Sequence, residues 1–140
     1  MSFREKSAWI SFGCLLIFGG FWLQHTIRIE FFDLRVANPV VYVFGTIAAL
    51  IALEIALHVA IAIRSPKDAR TPKDERERLI DLRSSRVAFY VLLIGTFGSI
   101  GTIHIPGSSR FTIVQCMMGS IITALLVRFG TQIVLYRRDA

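Results

Sequence analysis

Long apolar runs separated by short polar stretches dominate the chain. The four longest cover residues 8–25, 40–63, 87–105 and 111–136. Each is near or above the ~20 residues that an α-helix needs to cross ~30 Å of hydrocarbon. Helices are expected because lipid offers the backbone no other hydrogen-bond partner, and the runs lack the alternation of membrane β-strands. The pattern predicts an all-α integral membrane bundle of four helices, in a single domain over residues 1–140.

The positions of Lys and Arg predict the orientation of these helices. Of the 16 basic residues, twelve lie near the N-terminus, in residues 64–86 or at the C-terminus. Because cytoplasmic segments carry the excess of Lys and Arg, both termini and residues 64–86 are predicted to be cytoplasmic. The net charge of +6 then indicates orientation and attraction to anionic lipid, and direct nucleic-acid binding is not expected.

The most polar stretch, residues 71–86, predicts a helix that begins in the cytoplasm. Thr71 suits the N-cap, Pro72 suits the first helical position, and acidic residues follow where the helix dipole favours them. One continuous helix over about residues 72–105 is expected, ~50 Å long at 1.5 Å per residue. Its first turns would project as a partner-binding arm that carries Asp74, Glu75, Arg76, Arg78, Leu79 and Leu82.

Two charged residues lie within the apolar runs, Glu54 in the second and Arg128 in the fourth. Each is nine or ten residues from the cytoplasmic end of its run, so we expect them at similar depth. An unpaired charge there costs roughly 2.5–3.5 kcal/mol on insertion scales, which predicts that the two pair. His58 and Gln132 share their helix faces and complete a predicted polar layer. The layer is either a structural clasp or a proton or ion pathway; otherwise Arg128 extends to the interface without meeting Glu54.

Small residues in the third run predict a tight helix–helix contact. The small-xxx-small pairs Gly95–Ser99 and Gly98–Thr102 let a neighbouring helix approach closely. The helix-packing residues are Gly95, Gly98, Ser99, Gly101 and Thr102. The short turn of residues 106–109 then predicts an antiparallel hairpin of the third and fourth helices.

The connection between the first two helices, residues 26–38, mixes apolar and charged residues. Its alternation over residues 27–31 favours a strand-like piece, and its composition equally suits a short helix at the interface. Such a segment is a membrane-surface connection or a lid over an outward-facing cavity.

Other chemistry has little support in the sequence. His25 and His104 lie near the outer ends of their runs, where they are either interfacial histidines or a pair that clamps a haem iron. Cys14 and Cys116 have no metal-ligand spacing and are expected as small buried residues. No nucleotide-binding loop, zinc-protease motif or serine-hydrolase motif occurs, so no enzymatic activity, metal site or resident cofactor is predicted.

Three motifs resemble those of a family of small bacterial membrane proteins with four predicted helices. They are Lys6-Ser7-Ala8-Trp9, the D-E-R-E-x-x-I stretch of residues 74–80, and Tyr136-Arg137-Arg138. The resemblance implies a multi-pass protein of the bacterial inner membrane with no assigned functional residue. Some such proteins are encoded beside small helix-turn-helix regulators, which implies a membrane-bound partner or a sequestering role.

The sequence therefore predicts a non-enzymatic membrane protein that acts through protein contacts, as an accessory subunit or a regulator. Its expected partners are lipids, further copies or a larger membrane complex, and a cytoplasmic protein that binds the arm. The alternative is a small proton-coupled transporter or channel, as a dimer, that uses Glu54, His58 and Arg128. A haem protein that uses His25 and His104 is the weaker third hypothesis.

Overall fold

The computed structural model describes residues 3–32, 39–64, 74–106 and 110–138. These residues form four α-helices and no strand: α1 (Phe3–Phe32), α2 (Pro39–Arg64), α3 (Glu75–Gly101) and α4 (Arg110–Arg138), with a 3-10 turn (Thr102–His104) after α3. All four helices are long and apolar enough to cross a membrane. The prediction of an all-helical chain with four such helices is confirmed.

Helix α3 begins later than the sequence predicted, because a stronger cap lies within the arm. The Asp74 carboxylate accepts a hydrogen bond from the backbone N–H of Glu75 at 2.8 Å. The Glu77 carboxylate accepts one from the backbone N–H of Asp74 at 3.3 Å, which completes a capping box. Two carboxylates at the positive end of the helix dipole stabilise this start. Asp74 is therefore the N-cap, and Thr71 and Pro72 lie outside the described residues.

Helix α1 continues past the predicted end of its apolar run and reaches Phe32. The strand-like alternative for residues 27–31 is therefore wrong. Residues 21–32 contain no Gly or Pro, so nothing interrupts the i to i−4 hydrogen bonds of the helix. Residues 33–38, the rest of the predicted outer connection, lie outside the described residues.

Helix α4 occupies the centre of the arrangement. It packs most extensively on α3 and next on α1, whereas α2 contacts mainly α1. Few apolar side chains are buried: Ala8, Leu15, Ile80, Ala88, Met118, Ile122, Ala124 and Ile133. No residue in the most apolar stretch of α2 is buried, and Phe21, Phe44 and Phe97 are about 70% exposed. Such extensive apolar exposure is unusual on a water-soluble monomer and normal on a surface that faces lipid.

Charged residues mark the end of the bundle where α1 and α3 begin and α4 ends, which we term the charged end. Arg4 Nε lies 2.9 Å from Glu77 Oε2, and Arg137 Nε lies 4.0 Å from Glu5 Oε1. Arg137 also stacks over the Trp9 ring at 5.2 Å. The first turns of α3 therefore lie beside the start of α1 and the end of α4, and they do not project from the bundle as an isolated helix.

Candidate functional site

A polar cluster joins α3 to α4 near the charged end. Arg128 Nη2 donates to Asp81 Oδ1 at 3.1 Å, and Gln132 Nε2 donates to the same oxygen at 3.0 Å. Arg128 and Gln132 are four residues apart and therefore share one face of α4. The two side chains of the ion pair are about a third exposed, at 37% and 31%. The cluster is thus a partly exposed ion pair with a second donor on the carboxylate.

The predicted pair of Glu54 and Arg128 does not form, because the carboxylate that Arg128 contacts belongs to Asp81. Helix α2 packs mainly on α1 rather than on α4. The Glu54 carboxyl group therefore does not meet the Arg128 guanidinium. Asp81 was assigned to the solvated arm and missed; the available signal was its place beside Ile80 and Ser84, residues small or apolar enough to face a helix.

A cavity of about 220 Å³ lies beside this cluster at the charged end. Its walls come from α1, α3 and α4: Arg4, Ser7, Ala8, Glu77, Asp81, Arg128, Phe129, Gln132 and Tyr136. Arg128 Nε is buried and has no hydrogen-bond partner among the described residues, while the guanidinium lies 5.8 Å from the centre of the Phe129 ring. The wall thus carries two guanidinium groups and two carboxylates, whose formal charges cancel.

A second polar group joins α2 to α1. The Glu54 backbone carbonyl accepts from His58 Nδ1 at 2.8 Å, so Nδ1 carries a proton. In a neutral imidazole Nε2 is then an acceptor, and it faces the buried Ser11 hydroxyl at 3.4 Å. The Glu54 side chain is placed differently: its Oε1 is buried and finds no hydrogen-bond partner in the described part of the chain. The predicted layer is therefore two separate groups, and Ser11 is a member that the sequence did not reveal.

The predicted arm residues divide between the cap of α3 and one exposed face. Asp74 is the cap residue, and Glu75 is exposed in the first turn. Leu79 and Leu82 are 54% and 64% exposed, while Ile80 and Ser84 on the opposite side are buried against the bundle. Four arginines surround the two leucines. We define the arm face as the exposed residues Arg76, Arg78, Leu79, Leu82, Arg83 and Arg86.

The small residues of α3 also divide into two sets. A Cβ on Gly95 would lie 2.6 Å from Ser120 Cβ, so only glycine permits this approach of α4. Ser99 is buried, with its hydroxyl bonded to the Gly95 carbonyl at 2.7 Å and 3.3 Å from Ser120 Oγ. By contrast, a Cβ on Gly98 or Gly101 would meet no described atom within 4 Å. Thr102 uses its hydroxyl locally, on the Ser99 carbonyl at 2.6 Å. The open side is compatible with self-association, which stays a prediction.

The remaining polar residues form no metal centre in the described ranges. His104 is exposed in the 3-10 turn, and His25 is half-buried on α1. No group of three or more His, Cys, Asp or Glu among the described residues could hold a metal ion. Cys14 and Cys116 are half-buried free thiols. The haem hypothesis stays a prediction.

One buried contact between α1 and α4 was not predicted. Trp22 Nε1 donates to Gln115 Oε1 at 2.9 Å, and Gln115 is only 3% exposed. A Cβ on Gly119 would lie 2.9 Å from the Trp22 ring, so the glycine makes room for the indole. The contact fixes the register of α1 on α4.

Comparison with models of protein families, with curated proteins and with solved structures finds no match. The resemblance to a family of small bacterial membrane proteins therefore stays a prediction.

Proposed function

We propose that this chain is a multi-pass protein of the bacterial inner membrane that acts by binding a cytoplasmic protein rather than by catalysis. Four helices of spanning length and their apolar exposed surfaces support membrane insertion. The excess of Lys and Arg supports a cytoplasmic position for both termini and residues 64–86. The charged end of the bundle is then the cytoplasmic end.

The observation that carries the binding proposal is the exposure of two leucines among arginines on the arm face. Leu79 and Leu82 lie on a charged segment, where exposed apolar side chains mark contact sites better than they do on a lipid-facing surface. The other side of α3 is held by the Asp81–Arg128 and Arg4–Glu77 contacts, so the arm face is presented on a braced helix. Its chemistry fits a partner with an apolar centre and an acidic rim.

Site-specific photo-crosslinking in cells tests this proposal. A photoreactive residue at Leu82 should form an adduct with a discrete cytoplasmic protein, and the change Arg83→Glu with Arg86→Glu should abolish it by reversing the charge of the rim. The matched control is Ile94, which is equally apolar and 74% exposed but lies in the apolar part of α3. Lipid adducts alone at both Leu79 and Leu82 would contradict the proposal and identify the arm face as a lipid anchor.

A proton pathway is the second candidate, and the placement of Glu54 favours it. A buried carboxyl oxygen with no described hydrogen-bond partner, in a proposed membrane helix, is the kind of group that binds and releases protons. His58 lies one turn further along α2 and bonds the Glu54 backbone carbonyl, with Ser11 beside its Nε2, so a second group that can carry a proton lies close to this position. Because Arg128 and Gln132 both bond Asp81, this pathway would use Glu54 and His58 and not all four residues of the predicted layer.

Proton flux into vesicles that contain the purified protein tests the second candidate. Wild-type protein should carry flux that Glu54→Gln removes, because an amide does not ionise. Glu5→Gln, which changes a carboxylate at the charged end, should leave the flux intact. Equal flux in wild type, Glu54→Gln and empty vesicles would exclude the pathway.

A further inference from the structure

The cavity at the charged end lies where phospholipid headgroups would be, if the chain is inserted as proposed above. Its charged walls belong to the first turns of α1 and α3 and the last turns of α4. Trp9 and Tyr136 lie at the same end, and such aromatic residues concentrate at the membrane–water interface. The inference therefore rests on the proposed membrane insertion, but not on the proposed protein partner.

The charges of the wall decide which kind of ligand suits the cavity. Arg4 and Arg128 would attract an anion, but Glu77 and Asp81 lie beside them and would repel it. A simple cation would be attracted by the two carboxylates and repelled by the two arginines. A zwitterion can place its negative group against the arginines and its positive group against the carboxylates.

The donors that remain on the wall favour phosphate as the negative group. Arg128 contacts Asp81 through Nη2, and its side chain is 37% exposed, so the accessible part of the guanidinium can donate to a ligand in the cavity. Ser7 and Tyr136 add hydroxyl groups to the same wall. Guanidinium groups bind phosphate through paired, charge-assisted hydrogen bonds. A primary ammonium can in turn donate to the carboxylates.

The size of the cavity agrees with a small polar ligand. Its volume of about 220 Å³ is the space of several water molecules, at ~30 Å³ each. It is smaller than the ~300–1,000 Å³ typical of pockets for drug-sized molecules. A headgroup fits this range, with acyl chains outside along the exposed apolar surface of the helices.

We propose that this cavity binds the phosphoethanolamine headgroup of a phospholipid of the inner leaflet. The phosphate lies against Arg4 and Arg128, and the ammonium lies against Glu77 and Asp81. Soluble phosphoethanolamine has the same polar groups, so the test must separate the lipid from the free compound.

Native mass spectrometry of the full-length protein in detergent measures this binding. The probes are phosphatidylethanolamine, phosphatidylcholine, phosphatidylglycerol and soluble phosphoethanolamine. The ethanolamine lipid should bind at least about tenfold more tightly than the other two lipids, because choline has no N–H donor and glycerol has no positive charge. Soluble phosphoethanolamine should not displace it at equal concentration, since the free compound lacks the acyl-chain contacts.

Variants of the wall sharpen the test. Arg128→Gln should weaken binding of the ethanolamine lipid about tenfold, whereas Arg138→Gln, which removes an exposed charge from the same helix, should not. Asp81→Asn should reduce the preference for ethanolamine over glycerol lipid. If Arg128→Gln does not fold, as judged by circular dichroism, Arg4→Gln takes its place, because Arg4 lies in the first turns of α1.

Three results would overturn the proposal: phosphatidylglycerol binding as tightly as the ethanolamine lipid, equal weakening by Arg128→Gln and Arg138→Gln, or displacement by the soluble compound at equal concentration. Each leaves the crosslinking at Leu82 unaffected, so the failure of this inference is distinguishable from failure of the proposed function.

Discussion

We call the packing surface between α3 and α4 the first or tight seam, and that between α1 and α2 the second or loose seam. The two differ in whether a carboxylate has hydrogen-bond partners. At the first seam, Asp81 accepts hydrogen bonds from Arg128 and Gln132, and Gly95 brings the helices close together. At the second, the helices share few contacts and Glu54 Oε1 is buried without a described partner. The first seam pairs its carboxylate with two donors, whereas the second leaves a buried carboxyl oxygen without a described partner, which costs free energy.

The largest expected effect comes from closing the space at the tight seam. Gly95→Leu would place side-chain atoms within 2.6 Å of Ser120 and should destabilise the bundle by about 2–3 kcal/mol through overpacking. Gly98→Leu is the matched control, because a Cβ there meets no described atom within 4 Å. Unfolding of the purified protein in a denaturing detergent measures both. Equal losses at the two positions would mean that α4 does not approach α3 at Gly95.

A smaller loss is expected when the carboxylate of the tight seam is removed. Asp81→Ala leaves Arg128 and Gln132 without their acceptor and should cost about 1–2 kcal/mol, between the values for buried and exposed pairs because this pair is a third exposed. Glu75→Ala removes an exposed carboxylate from the same helix and should cost about 0.5 kcal/mol or less.

A double-mutant cycle isolates the pair itself. Arg128→Gln combined with Asp81→Ala should cost less than the sum of the two single changes, with a coupling of about 1 kcal/mol. Strict additivity would show that the two side chains do not interact.

The opposite sign is expected at the loose seam. Glu54→Leu replaces a buried carboxyl group by an apolar side chain and should leave stability unchanged or raise it by about 1 kcal/mol. The same detergent unfolding measures the change. A loss of about 2 kcal/mol or more would reveal a partner for Glu54 and remove the contrast between the seams.

The smallest effect is expected from the histidine beside Glu54. His58→Ala removes a local bond to a backbone carbonyl and a long contact to Ser11, and should cost about 0.5–1 kcal/mol in the same assay. A cost as large as that of Asp81→Ala would place the Ser11–His58 contact among the main restraints of the fold.

The number and type of helices followed from the sequence, because spanning length and apolar character are properties of each segment alone. Of the two small-xxx-small pairs, Gly95–Ser99 lies against Ser120 of α4, whereas a Cβ on Gly98 would meet no described atom within 4 Å, so the spacing alone did not decide which pair packs. The pairing of Glu54 did not follow. Its depth could be counted along the chain, but the helix that its face meets depends on how all four helices are arranged.

Asp81 was missed for a related reason. A charged residue in a polar stretch is expected to be solvated, but Arg128 and Gln132 of α4 lie against Asp81 and make the position partly buried. The N-cap was displaced from Thr71 because Asp74 and Glu77 together satisfy more backbone and dipole interactions than a lone threonine. Local sequence signals therefore predicted the helices well, but they predicted poorly which residues of different helices contact each other.

Cysteine cross-linking in membranes tests the central claim most directly. In a chain with Cys14 and Cys116 replaced, one variant carries Asp81→Cys with Gln132→Cys, and another carries Glu54→Cys with Gln132→Cys. A short bifunctional thiol reagent should join residues 81 and 132, because the native side chains at these positions meet across α3 and α4. It should leave 54 and 132 unjoined, because α2 packs mainly on α1. A cross-link between 54 and 132, with none between 81 and 132, would contradict the account.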